Sequence, residues 1–86
     1  MKIKYSKPAL KFLARADKAT VNRIRVAIEK LTHTPPEGDI KVMQGCSDGR
    51  QRLRVGKYRV VFKYTANNKI EIVYIIDIGS RGDIYK

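Results

Sequence analysis

The residues best suited to chemistry lie between positions 50 and 63. Arg50, Arg52, Arg54, Lys57, Arg59 and Lys63 fall in this stretch, and no acid interrupts them. Their spacing matters more than their number. In an extended strand, residues i, i+2 and i+4 project to one face, so Arg50, Arg52 and Arg54 project together. A guanidinium is a planar, permanently charged donor fork whose geometry matches phosphate. Like charges directly across a strand pair are destabilising, and an anion offsets that repulsion. The pattern therefore points to an anion-binding face, with nucleic acids, acidic proteins and anionic membranes as candidates. The whole chain agrees: 86 residues carry 19 Lys and Arg against eight Asp and Glu, a formal charge of +11. Such an excess favours polyanionic partners.

These side chains need a scaffold. Lys2-Ile3-Lys4-Tyr5 alternates as a short strand. Ser6 is suited to an N-cap and Pro8 to the first turn, so a helix is predicted over residues 8–16, with Ala9, Leu10, Phe12, Leu13 and Ala16 as its apolar face. Asp17 ends that helix and starts a second, over about 18–31, where Val21, Ile24, Ile28 and Leu31 form one stripe. Thr34-Pro35-Pro36-Glu37-Gly38 stops it. The period then changes to two. Ile40 and Val42 alternate with Lys41 and Met43. Arg50, Arg52 and Arg54 alternate with Gln51, Leu53 and Val55. Val55-Gly56-Lys57 predicts a tight turn, after which Tyr58, Val60, Phe62 and Tyr64 alternate with Arg59, Val61 and Lys63. A turn at 66–68 precedes a nearly continuous apolar strand over 70–78, expected inside the sheet. The sum is one α+β domain over 1–86, ordered β-α-α-β-β-β. A helical hairpin packs on one face of a small, curved, mostly antiparallel sheet. With Val60 and Phe62 toward the helices, Arg59 and Lys63 join the arginine row on the other face.

Several classes are excluded. A single cysteine, Cys46, makes no internal disulfide, and one Cys with one His cannot build a Cys/His zinc module. His33, at a helix end, reads as a partner of the helix dipole. Asp48, Asp77 and Asp83 are scattered, so no metal site and no cofactor is expected. The longest apolar run, Ile72 to Ile76, is far too short to span a membrane, and Met1-Lys2-Ile3-Lys4-Tyr5 lacks a signal-peptide core. The expected location is the cytoplasm.

Three stretches carry a resemblance that spans essentially the whole chain. These are Gly45 with the basic strand after it, Arg54-Val55-Gly56-Lys57-Tyr58-Arg59-Val60-Val61-Phe62, and Gly79-Ser80-Arg81-Gly82-Asp83-Ile84-Tyr85. Together they resemble the RelE/ParE toxin superfamily, and the late Gly-x-Arg-x-x-Ile-Tyr resembles its RNA-cleaving RelE branch. The resemblance implies a type II toxin that cleaves mRNA in the ribosomal A site without a metal and is neutralised by a cognate antitoxin, RelB-like or another small acidic protein. It implies Arg52, Arg59, Arg81 and Tyr85 as catalytic residues and Arg50 as an RNA contact, to which the basic stretch itself adds Arg54, Lys57 and Lys63 as RNA-binding residues. The 2′-OH would attack the adjacent phosphate, and fixed guanidinium groups would stabilise the charge that builds there.

Two positions depart from the family pattern. Arg50 and Arg52 stand where archetypal members carry lysines, and arginine cannot serve as a base. Ser80 stands where many relatives carry histidine, the usual proton shuttle. Two alternatives therefore remain open: a ParE-like inhibitor of DNA gyrase, and a nucleic-acid-binding relative without catalysis.

Overall fold

The computed structural model describes residues 1–45 and 48–80. A first strand, β1 (Lys2–Tyr5), leads into helices α1 (Lys7–Arg15) and α2 (Lys18–Glu29). Four strands follow: β2 (Asp39–Val42), β3 (Gln51–Val55), β4 (Tyr58–Asn67) and β5 (Ile70–Ser80). They form one five-stranded sheet in the order β1-β5-β4-β3-β2. Only the β1/β5 pair is parallel; the other three pairs are antiparallel. The α+β class and the mostly antiparallel sheet are as expected. The sheet has one strand more than the β-α-α-β-β-β order names, because the alternation at 39–42 forms a separate edge strand.

The local signals explain the boundaries. Ser6 caps α1, its hydroxyl oxygen accepting the Ala9 N–H at 3.2 Å, and Pro8 lies in the first turn. The last turn of the second helix tightens into a 3₁₀ segment, Lys30–Thr32, ahead of the proline pair. The β3–β4 turn opens on Gly56 at φ +59°, a left-handed position suited to glycine in a tight hairpin. The β4–β5 turn falls one residue later than the sequence suggests, with positive φ at Asn68 and Lys69.

The core lies between the helices and one sheet face. Ala9, Ile24, Ile28 and Leu31 meet Leu53, Val55, Val60, Phe62, Val73, Ile75 and Ile78. Leu10 departs from expectation, since it is 52% exposed and faces away from the core. The apolar run of β5 has a structural reason. Phe62 pairs with Ile75 and Val61 with Asp77, so Ile76 is an extra residue, a bulge that shifts the phase of the strand. Both Ile75 and Ile78 consequently face the core. Ser6 binds this bulge, its N–H donating to the Ile75 carbonyl and its hydroxyl to that of Ile76. The start of α1 is thereby fixed to the strand.

Candidate nucleic-acid interface

The face of the sheet turned away from the helices carries the cations. Leu53 and Val55 of β3 point into the core, so Arg52 and Arg54 point away from it. On β4, Tyr58, Val60, Phe62 and Tyr64 take the core side, which leaves Arg59, Val61 and Lys63 on the open side. Register then aligns these residues across strands. Asp39, Arg54, Arg59 and Gly79 form one row; Lys41, Arg52, Val61 and Asp77 form the next. Arg54 and Arg59 are direct cross-strand neighbours, the like-charge pairing expected from the sequence. Gly79 adds no side chain to the end of the first row beside Arg59.

Lys41, Arg52, Arg54 and Arg59 converge on a hollow of about 470 Å³, walled on one side by Val42, Met43 and Gln44. Arg52 is largely enclosed, its side chain 11% exposed. Its guanidinium stands 3.8 Å from the exposed Asp39 carboxylate, a separation of an ion pair longer than a hydrogen bond. Val61 and Ile72 are buried on this open face although neither α1 nor α2 covers it. Basic residues flank them in register, Arg52 beside Val61 and Lys2 beside Ile72, and such side chains can lay apolar stems over a surface while keeping their charge in water.

The other expected binding residues are distributed more widely. Arg50 precedes β3 and donates to Asp48 at 2.8 Å. That hydrogen bond, with the nearby charges of Arg50 and Lys63, holds the Asp48 carboxyl below the ordinary aspartate range. Lys63 thus lies near the Arg50 end of the face. Lys57 sits at the hairpin tip, its ammonium 5.4 Å from the centre of the Tyr58 ring. It shares a smaller hollow of about 290 Å³ with Arg54, Gly56, Tyr58 and Arg59. Arg81, Tyr85 and Cys46 lie outside the described residues. His33 binds Glu37 beyond the helix end, which lowers the Glu37 carboxyl, and neither residue lines the cationic hollow. Among the described residues no three His, Cys, Asp or Glu side chains converge on a metal position, and no helix is long and apolar enough to cross a membrane.

Sequence reasoning missed Lys41 and the acids. The signal for Lys41 was present, because Ile40 faces the core and its neighbour must face away. Asp39 and Asp48 had no such signal, since their proximity to Arg52 and Arg50 depends on the β2–β3 pairing and its loop.

A helical pair on one side of a five-stranded sheet, with arginines ranked on the other, defines a small α+β protein with a cation-lined sheet face. The chain belongs to the ParE toxin family of type II toxin–antitoxin systems: the model of that family, the ParE toxin of parDE, matches residues 3–85. It is thus a toxin of the RelE/ParE superfamily. No curated protein matches the chain. Solved structures agree in fold. A chain of the RelE–RelB complex from Pyrococcus horikoshii OT3 is 29% identical with a TM-score of 0.70, covering 95% of this chain and 96% of that one. A chain of the RelB–RelE antitoxin–toxin complex from Methanococcus jannaschii is 24% identical with a TM-score of 0.71, covering 95% and 94%. The YoeB/ParE toxin from Agrobacterium tumefaciens is 20% identical with a TM-score of 0.76, covering 94% and 99%.

Proposed function

We propose that this toxin is a ribosome-dependent endoribonuclease that cleaves mRNA in the A site and is neutralised by an antitoxin. The observation that carries this reading is the hollow in which Arg52, Arg54, Arg59 and Lys41 converge. Four cations lining one depression suit a phosphate whose charge grows during reaction. In this mechanism the RNA 2′-OH attacks the adjacent phosphorus and the 5′-oxygen leaves, giving a 2′,3′-cyclic phosphate and a 5′-OH. Arg52 and Arg59 hold the scissile phosphate, and Arg54 and Lys41 hold the backbone beside it. Arg50, Lys57 and Lys63 extend the grip along the strand. Arg81 and Tyr85 complete the catalytic set, as the RelE resemblance implies. Alignment of nucleophile, phosphorus and leaving group supplies further rate. Arginine does not deprotonate, so Arg52, Arg54 and Arg59 bind and stabilise charge and do not act as the base. An antitoxin with an acidic segment would cover the same cations, in line with the RelB complexes of the two archaeal structures. A ribosomal target places the protein in the cytoplasm.

Primer extension on an mRNA in a reconstituted translation system tests this, with the wild type, Arg59→Ala and Arg81→Ala side by side. New 3′ ends within A-site codons, lost in both variants, are expected. The match to the ParE family favours a second reading, inhibition of DNA gyrase. Intact mRNA together with blocked supercoiling by purified gyrase would replace the first reading with the second.

A further inference from the structure

A larger hollow lies on the other side of the β3–β4 hairpin, toward α1. It measures about 870 Å³, with Lys11, Phe12 and Arg15 on one wall and Lys57, Tyr58 and Ile78 on the other. Its floor is aromatic. Phe12 and Tyr58 meet edge to face with centroids 5.7 Å apart, and both are only half-buried. Its rim is cationic, and Asp17 is the single acid among the described residues that line it. The hollow is also continuous with the sheet face. The tip hollow shares Arg54 and Arg59 with the sheet-face hollow, and Lys57 and Tyr58 with this groove. Arg23 of α2 adds charge at the tip, since a Cβ on Gly56 would lie 3.5 Å from its guanidinium nitrogen.

We propose that this groove is a second subsite for single-stranded RNA, which takes an unpaired nucleotide beyond those held on the sheet face. The proposal rests on the RNA reading above. The strand passes over the hairpin tip at Gly56 and Lys57. The base of the extra nucleotide packs against Phe12 and Tyr58, and its phosphate lies among Lys11, Arg15 and Lys57. Exposed aromatic surface beside a row of cations is the combination that binds unstacked RNA, because every base offers a π-face and every linkage a charge. An apolar groove for a neutral peptide would not need three cations on its rim.

The test uses 2′-O-methyl RNA, which lacks the attacking hydroxyl and stays intact. Affinities are measured for oligomers of roughly four and about ten nucleotides, within the range of single-strand sites. The variants are the exposed pair K11Q/R15Q, and Phe12→Leu, which keeps apolar bulk while removing the ring. Thermal melting confirms that each is folded. The wild type should gain affinity with length, and K11Q/R15Q should reduce that gain on the order of tenfold. The log–log salt slope for the longer oligomer should fall by about 1.4, two phosphate contacts' worth. Phe12→Leu should reduce the gain without changing the slope. An unchanged gain in both variants, while Arg52→Gln weakens both oligomers, would end the track at the sheet face and leave the proposed function standing. If K11Q/R15Q weakens binding of the cognate antitoxin and not of RNA, the groove serves a protein partner and the proposal fails. If the wild type binds neither oligomer, the groove holds no RNA of its own and the proposal fails, whereas the proposed function falls only if mRNA stays intact in the translation assay.

Discussion

Strand β4 holds both faces of the sheet in one stretch of chain. Val60 and Phe62 are fully buried under the helices, whereas Arg59 and Lys63 alternate with them on the face turned away from α1 and α2. The two faces stabilise different things. The covered face favours the fold through apolar area removed from water. The open face places like charges side by side, as at Arg54 and Arg59, and so works against the fold. A small sheet tolerates this when its other face is tightly packed. Stability and ligand binding are thus divided between alternate residues of the same strands.

That division breaks most severely at Phe62. The ring is fully buried and meets Tyr64 edge to face at 5.6 Å. Phe62→Ala should lower the free energy of unfolding by about 3–5 kcal/mol, read from the shift of a urea midpoint. Any lost activity should follow the lost folded fraction. The next largest effect belongs to the opposite face. Arg59→Ala should lower cleavage by roughly 100- to 1000-fold, the scale for removing one donor from a developing negative charge. Its melting temperature should stay near that of the wild type. If Arg59→Ala unfolds as readily as Phe62→Ala, the arginine is structural and the separation of the faces is wrong.

The alternation behind this division was plain in the sequence. Leu53 and Val55 against Arg52 and Arg54, and Val60 and Phe62 against Arg59 and Lys63, assigned every one of these side chains to its face. Ser6, Pro8 and Gly56 likewise marked their cap, first turn and hairpin, because each acts through its own backbone. Long-range features were not legible. The bulge at Ile76 shows in the sequence only as one more apolar residue in a run, and its phase depends on pairing with β4. The parallel contact between β1 and β5 joins strands some 70 positions apart, as the Ser6–Ile76 bond shows. The candidate site divides in the same way. The arginines that share the hollow could be read from their period, whereas Asp39, the acid beside Arg52, comes from another strand, and Asp48 tempers Arg50 from the loop outside the hollow.

A smaller effect sharpens the comparison by reversing its usual sign. Arg54 is exposed and stands directly opposite Arg59 on β4, while Asp39, its register partner on β2, has its carboxylate 3.8 Å from Arg52. Arg54→Gln should stabilise the fold by roughly 0.2–1 kcal/mol, the scale of one cross-strand pair. The same change should weaken RNA binding and reduce the salt slope by about 0.7, one phosphate contact. Chemical denaturation and salt titration of the one variant measure both. Stability that falls with affinity would mean that Arg54 makes a favourable contact in the free protein.

The smallest effect concerns the acid at the edge of the open face. Arg50 donates to the Asp48 carboxylate, and this bond, with the charges of Arg50 and Lys63, lowers the Asp48 pKa. A carboxyl lowered by folding contributes stability above its ordinary value and loses it as the pH falls through the lowered one. Asp48 is exposed, so the change in stability is slight. The change in anion binding has the opposite sign. As Asp48 takes up a proton, Arg50 and Lys63 lose a nearby negative charge, and their attraction for phosphate strengthens. Wild-type affinity for the longer 2′-O-methyl RNA should therefore rise in that acid window more than the affinity of Asp48→Asn does. At neutral pH Asp48→Asn should bind more tightly than the wild type by a factor of a few at low salt, with the difference fading as salt screens it. If the two proteins instead bind alike at neutral pH and low salt, the Asp48–Arg50 bond leaves the cationic face untouched, and Arg50 lies outside the RNA path.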